Sequence, residues 1–427
     1  MSSSISDRLK ALGVRTGAQG INRPAPRRPA GTQALAEALG GRPLATPLGE
    51  AFVVETRYPL GQPHGRVKLE LAASLEGLSR ATGQALINQI SPEEIVFLDT
   101  ETTGLSGGTG TYAFLIGVGR FDAAEFVLHQ YLLSDPLAEP AQLAALEAFL
   151  APCRALATFN GKTFDAPLLF TRYTIQGLRP PLKDLAHIDL LHLARRLWRD
   201  RLPSRTLANL ETHILGASRS ELDLPGWMIP QIYFDFLQTG DPQPLKGVIY
   251  HNAMDVVSLA ALLDHMAGLI NDPLTCGAGS AFDLLALARL FENLGEPDRA
   301  VELYIHGLEH AEAQSEQVPR AALLQALLHL ALIYKRRTDL PRAVQVWEQA
   351  ARFGCLEAQV ELAKCHEHQF KDLNQALRWT RSAIALTESE TTDPAPIDQL
   401  YAFQKRQRLA ELQHRLNRLL KKLGSSS

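Results

Sequence analysis

The run Ile95-Val96-Phe97-Leu98 passes directly into Asp99-Thr100-Glu101, so an unbroken apolar segment ends in two carboxylates one residue apart. β-Branched and aromatic residues between Pro92-Glu93-Glu94 and Gly104 read as a buried strand, in which alternate side chains share a side. Asp99 and Glu101 therefore converge. Two ionised acids at the end of a buried strand repel and desolvate each other unless a hard cation sits between them, and carboxylate oxygens suit magnesium or manganese. An acid pair of this kind also occurs on solvated edges, so further acids are needed to support a site.

They follow in a spaced set. Ala157-Thr158-Phe159-Asn160-Gly161-Lys162-Thr163-Phe164-Asp165 has a short apolar lead, a turn signal and an acid opening a helical pattern. Asp165 would sit near a helix N-terminus, where capping is the alternative role. Tyr250 to Leu263 is an amphipathic helical pattern that places His251 and Asp255 four apart on one face.

The order Asp99-x-Glu101, Asp165, then His251 with Asp255 resembles the DEDD 3'-to-5' exonucleases of the ribonuclease H-like superfamily, over about Ser91 to Asn271. The wording is similar to the YprB-like exonucleases: Asp99-Thr-Glu-Thr-Thr-Gly-Leu-Ser-Gly-Gly-Thr-Gly-Thr-Tyr112, Phe159-Asn-Gly-Lys-Thr-Phe-Asp165, Leu224-Pro-Gly-Trp-Met-Ile-Pro230 and His251-Asn-Ala-Met-Asp255. The resemblance implies an α/β ribonuclease H-like domain, a mixed sheet flanked by helices, that hydrolyses phosphodiesters with two Mg2+ or Mn2+ ions. It implies that Asp99 touches both ions, that Glu101 and Asp255 complete the nucleophile-side site, and that Asp165 serves the leaving-group side. His251 would be general base, since an imidazole ordinarily titrates near neutrality. The superfamily's usual third motifs have His with four residues between it and the Asp, or Tyr with three between. Here His251 has three and Tyr250 four; helical geometry puts His251 about 40° from Asp255 and Tyr250 much further round, which favours His251.

Thr102, Leu105, Asn160, Lys162, Phe164 and Arg205 are candidate substrate contacts. Asn160 could orient a water or a hydroxyl, and Lys162 could meet a phosphate, against turn and surface roles for each. Phe164 and Leu105 could wedge against terminal bases, with core packing the more economical account. Asp189, before a helix, reads as a cap. The run Arg195-Arg196-Leu-Trp198-Arg199-Asp-Arg201-Leu-Pro-Ser204-Arg205 could track phosphates and stack a base, or form a solvated helix face. With a formal net charge of -3, nucleic-acid contact would have to be local.

The glycine run Gly104 to Gly110 lacks a following Gly-Lys-Ser/Thr, which argues against a phosphate loop and an ATPase. A hairpin fits better, with strands at Phe97 to Thr103 and Tyr112 to Gly119 and a third at Phe126 to Leu132. The cysteines include no CxxC, and Cys365-His366-Glu367-His368 lies in a helical pattern whose adjacent residues diverge, so zinc is not supported. No signal peptide and no apolar run long enough for a bilayer is apparent, so the expectation is a cytoplasmic protein without a membrane partner.

Residues 1–46, rich in Ser and then in Pro, Arg and Gly, read as a flexible arm. Residues 47–90 read as a strand at Gly49 to Tyr58 and a helix at Leu69 to Ile90 padding a nuclease domain over 91–272. Residues 280–424 follow a different rule. Ala288, Ala300 and Gly307 recur as Ala331, Ala343 and Ala350, then as Ala363, Ala376 and Ala383 with one residue added in the turn. Such small residues let antiparallel helices close on each other, and the pattern resembles tetratricopeptide or Sel1-like hairpins ending in a capping helix at Ile397 to Leu423. The last turn, Arg418-Leu-Leu-Lys-Lys422, reads as charge complementing a helix C-terminus.

Together these features predict a 3'-to-5' exonuclease on nucleic acid ends, joined to an all-α array that binds a protein. The resemblance implies DNA repair beside a helicase. The residues leave DNA against RNA open, because no motif reveals how the 2'-hydroxyl is treated. The alternative is a non-catalytic adaptor that holds a nucleic-acid end and recruits partners; four intact metal-compatible carboxylates argue against it.

Overall fold

The computed structural model describes residues 31–104, 109–275, 280–313, 318–389 and 398–424. The described chain divides into two compact units: one holds residues up to Ala72, Gln84–Leu191 and Thr206–His265, the other Ala73–Gly83, His192–Arg205 and Met266 onward.

The first unit is built on strands β1 (Arg42–Thr46), β2 (Gly49–Pro59), β5 (Ile95–Thr102), β6 (Ala113–Asp122), β7 (Glu125–Leu132), β8 (Ala155–Thr158) and β9 (Ala186–Asp189), with β3 (Pro63–His64) and β4 (Val67–Lys68) forming a separate small hairpin. The seven-stranded order is β1-β2-β7-β6-β5-β8-β9. The pairs from β1 through β5 are antiparallel, while β5 pairs in parallel with β8 and β8 with β9. This is the mixed sheet expected. β5 is central, which is why Ile95 to Leu98 can be uniformly apolar: all four are buried.

Helices cover the sheet because its pleat sends alternate residues to different sides. Val96, Leu98, Ile116 and Val118 pack with Leu146 and Leu169, from helices Glu139–Leu150 and Asp165–Ile175. Between the last two strand residues lies Gly117, which faces helix Leu245–Asn271 instead. A Cβ on Gly117 would fall 2.1 Å from the Asn252 side chain, and one on Gly119 2.9 Å from Val256. The two glycines thus let that helix lie directly on the strand beside β5.

Three expectations are corrected. Residues 32–46 are not a flexible arm: helix Thr32–Leu39 buries Leu35, Gly40 ends it in the left-handed region at φ 70°, and β1 pairs with β2. A Pro- and Arg-rich context masked a short amphipathic pattern; residues 1–30 lie outside the described residues. β2 is an integral strand paired to β7 rather than padding, and the helix expected over Leu69 to Ile90 is confined to Glu76–Thr82 and a 3-10 turn at Ala85–Gln89. Finally, helix Leu245–Asn271 is long and apolar enough to cross a bilayer, but most of its apolar stretch is buried inside the protein.

The second unit contains the helical hairpins Ala281–Asn293 with Pro297–Ala313, Arg320–Arg336 with Leu340–Arg352, and Leu356–Cys365 with Leu373–Ser389, then the long helix Asp398–Gly424. All nine recurring small residues are buried. Gly307 shows the constraint, since a Cβ there would meet Leu285 at 2.7 Å. The extra residue of the third hairpin is absorbed by a π turn at His366–Phe370, the form in which a helix accommodates one inserted residue.

The basic last turn does more than complement a helix end. Arg415, Arg418 and Lys422 converge on the buried carboxylate of Glu367, at 2.8, 2.7 and 2.8 Å. Burial alone would raise its pKa, but hydrogen bonds from Arg418 and Lys422 hold it at about 2.

Candidate active site

β5 carries Asp99 and Glu101 to the end of the sheet, opposite Gly117 and Leu115 of β6. The ladder is irregular between Glu101 and Thr102, so the strand changes register just past the second acid. Asp165 is the first residue of helix Asp165–Ile175, and its carboxylate accepts a 2.5 Å bond from Thr100, the residue between the two strand acids. That helix is held by Arg172, whose guanidinium donates two buried hydrogen bonds to the Glu139 carboxylate at 2.5 and 2.6 Å. Asp255 and His251 come from the helix lying on Gly117.

The ligand atoms of Glu101, His251 and Asp255 all lie within 4.8 Å of one another. Asp99 and Asp165 fall outside this tight group but interact electrostatically with it. Burial, followed by the charges of Asp255, Glu101 and Asp165, raises the Asp99 pKa well above the usual carboxylate range. Burial and the charges of Asp255 and Asp165 push Glu101 up to about 8. Burial takes Asp165 to about 6, against its bond from Thr100. Asp255 is raised by burial too, with Arg219 and His251 pulling it back. Four oxygen-donor side chains that resist ionisation chiefly because burial strips their hydration, with Asp99 and Glu101 further raised by neighbouring acids, are a donor set that fits hard divalent cations.

Several residues around the acids carry no sequence signal of their own. Asn252 is fully buried and donates to the Asp99 carboxylate (2.9 Å) and carbonyl (3.2 Å), while its own carbonyl accepts from buried Gln130 at 2.9 Å. Gln130 also donates to the Ile249 carbonyl, so a polar chain from β7 through the helix fixes Asp99. Arg219 is held by Glu211 at 2.6 and 2.7 Å and reaches Asp255; burial lowers its pKa, but hydrogen bonds and the charges of Glu211 and Asp255 win and raise it. Asp223 takes His251 Nδ1 at 2.8 Å, leaving Nε2 3.4 Å from Asp255. The Tyr250 hydroxyl is occupied by the Ser220 amide at 2.9 Å. Asn252 could have been found from its place beside His251, 100° round the helix toward the sheet; Arg219 and Asp223 lie in an irregular stretch without periodicity.

The candidate substrate contacts are dispersed. Asn160 sits in the left-handed region at φ 65°, its amide bonded to Asp189 at 2.8 Å; the Lys162 amide bonds the other Asp189 oxygen at 3.1 Å, leaving the Lys162 side chain exposed. Asp189 therefore shapes this loop as well as capping the Leu191 amide. Phe164 is 54% exposed beside Asp165, which overturns core packing as its explanation. Thr102 donates to the Gly104 carbonyl in the turn after β5, and Leu105 lies outside the described residues. Arg205 belongs to the second unit, its guanidinium turned onto the Leu202 and Pro203 carbonyls. The arginine run there is no stacking platform: Trp198 is fully buried, Arg196 bonds the Ala81 carbonyl and Arg201 pairs with buried Asp283.

Residues 96–267 match the RNase_H superfamily and residues 284–317 match the tetratricopeptide repeat. The uncharacterized protein YprB of Bacillus subtilis (strain 168) is 34% identical over 369 residues, 83% of this chain and 86% of the relative. The chain belongs to the YprB family. Its first unit is thus a nuclease domain of the ribonuclease H-like superfamily, a fold that usually works with divalent metal ions, with candidate acidic ligands in place. Its repeats are of a type that binds proteins. In this YprB-family chain the superfamily match begins at Val96, in the strand that delivers Asp99, and ends just beyond Asp255 in the helix that delivers it.

Proposed function

We propose that this chain is a 3'-to-5' exonuclease that removes nucleotides from nucleic-acid ends, with DNA favoured, by two-metal phosphodiester hydrolysis with Mg2+ or Mn2+. The observation that carries the reading is the gathering of Asp99, Glu101, Asp165 and Asp255 from two sheet-end elements and one core helix, with raised pKa values and a histidine within 4.8 Å of two of them. The four carboxylates would hold the ions, which when bound supply Lewis-acid polarisation of the phosphate and neutralise charge on the leaving oxygen.

His251 is positioned as general base. Nδ1 lies 2.8 Å from Asp223 and 3.2 Å from the Arg219 guanidinium; in the tautomer whose Nδ1–H donates to Asp223, Nε2, 3.4 Å from Asp255, is the nitrogen that would take a proton from water. Arg219, paired with Glu211, steadies both Asp223 and Asp255, so the base and its neighbouring ligand move as one group. Asn252 fixes the Asp99 rotamer by bonding both its carboxylate and its backbone. In the same proposal the repeat unit recruits a protein partner, a helicase in the DNA-repair reading, within the cytoplasm.

Digestion of matched DNA and RNA oligonucleotides, labelled at either end, tests the proposal. Stepwise shortening of 5'-labelled strands that requires Mg2+ or Mn2+ and fails for Asp99→Asn is the expected result. End binding without cleavage under any metal would overturn it in favour of an adaptor.

A further inference from the structure

One motif remains unexplained by the carboxylate site: Leu224-Pro-Gly-Trp-Met-Ile-Pro230. The segment is pinned at both flanks. Asp223 bonds His251 at 2.8 Å, and Leu224 fills the space left by Gly247 on the same helix, where a Cβ would meet it at 2.5 Å. On the other side Ile229 is fully buried among Tyr233, Phe236 and Val248. Between these anchors a 3-10 turn, Gly226–Met228, holds Trp227 with 82% of its surface exposed, and Pro225 and Pro230 stiffen its ends. A large aromatic side chain kept in water on a braced turn costs hydration free energy and gains nothing for the core. The chain's other tryptophans are handled otherwise, with Trp198 and Trp347 buried and Trp379 half-buried.

We infer that Trp227 is a stacking platform for an unpaired nucleobase of the strand whose end enters the carboxylate site. The inference rests on the nuclease reading and adds the form of the substrate: a single strand, or a duplex end opened by at least one nucleotide. Position decides for a base. Four residues cannot separate Trp227 from Asp223 by more than about 14 Å, and Asp223 is bonded to the candidate general base, so the indole lies within a few nucleotides of the scissile bond. An indole face stacks on any base, and a base sandwiched inside a duplex cannot offer its face, while a blunt end offers only the outer face of a closed pair. Phe164, exposed beside Asp165, is a second aromatic on the other element bearing a site acid.

The test uses the full chain as Asp99→Asn, titrated with an oligo-dT single strand and with a blunt duplex of equal length, reading tryptophan emission and affinity together. Trp227 is the most exposed of the four tryptophans, so single-strand binding should quench emission, and the quench should vanish in Trp227→Ala. Affinity for the single strand should fall about 5- to 150-fold in Trp227→Ala and less in Trp227→Phe, which keeps a ring. Unchanged affinity in Trp227→Ala, or equal quenching by the blunt duplex, would overturn the inference while metal-dependent cleavage by the wild type still upheld the nuclease reading. No binding of either nucleic acid by the wild type would overturn both. A melting curve matching wild type checks that the exposed site was changed without harm to the fold.

Discussion

Each unit of this protein buries acids, and treats them oppositely. Glu367 in the helical array is met by Arg415, Arg418 and Lys422 and ionises more readily than a free glutamate. Asp99, Glu101, Asp165 and Asp255 in the nuclease unit press on one another, and all four are harder to ionise than usual although Arg219 touches Asp255. The same functional group is compensated within the fold in one place and left short of positive charge in the other. Compensation is what stability requires; a shortfall among converging acids is what a site for added cations requires. Neutralising an acid should therefore have opposite consequences in the two places.

The largest expected effect tests this directly. Asp99→Asn should cut cleavage on the order of 10⁴-fold, corresponding to the several kcal/mol of charge stabilisation that bound metal supplies. The same change should raise the melting temperature in EDTA increasingly as pH rises, because the wild-type carboxyl would have to ionise beside Asp255, Glu101 and Asp165 while the amide does not. A thermal scan that fell instead would break the comparison, and undiminished turnover would remove Asp99 from the site. His251→Ala comes next: a general base is worth roughly 10²- to 10⁴-fold, and calorimetry should find metal affinity far less altered than rate. Tyr250→Phe removes only a hydroxyl held by the Ser220 amide, so it should leave the rate within about twofold, in line with the small effects of changes away from key features. A large loss there would transfer the base role to Tyr250.

What the chain discloses in its sequence depends on whether the information is local. Alternation placed Asp99 and Glu101 together at a strand end, and helical spacing placed His251 near Asp255, because periods of 2 and 3.6 act over a few residues. The small residues from Ala288 to Ala383 were legible for the same reason, and all are buried where hairpins close. Arg219 was not, since its partners Glu211 and Asp255 lie 8 and 36 residues away and its own stretch has no period. Nor was the split of the chain, in which residues 73–83 and 192–205 leave the nuclease sequence to pack with the second unit. Glu367 was legible only as part of a helical run weighed for zinc, and the Arg418 turn only as charge complementing a helix end, because the two partners lie 51 residues apart. Phe164 and Trp227 show the converse: nothing local distinguishes an aromatic that is buried from one left in water.

Acid titration sharpens the comparison further. Glu101 has its folded-state pKa near 8 against an ordinary value of 4.5, so the folded protein holds the extra proton between those values. Its contribution is complete below about pH 4.5 and is lost as pH rises toward 8, so metal-free protein should melt progressively lower across that window and Glu101→Gln should flatten the slope. Divalent ions should reverse the trend, since they require the ionised form and displace the proton.

Glu367 runs the other way and gives the smallest effect. With its pKa held at about 2, its contribution is complete above about pH 4.5 and disappears as pH falls through the folded value. Glu367→Gln should cost about 1–3 kcal/mol at pH 7, the range for unmaking charged hydrogen bonds at a buried group. The cost stays moderate because the cations left behind reach solvent: Arg418 and Lys422 side chains are 40% and 46% exposed, against 16% for Arg415. Removing Arg415 alone should accordingly cost less than removing Glu367, since two cations still cover the acid. Urea midpoints of the two variants measured at pH 7 and pH 3 decide it. A Glu367→Gln protein as stable as wild type at pH 7 would mean that the three cations are held by something other than this carboxylate, and the contrast between a compensated and an uncompensated acid would lose one of its sides.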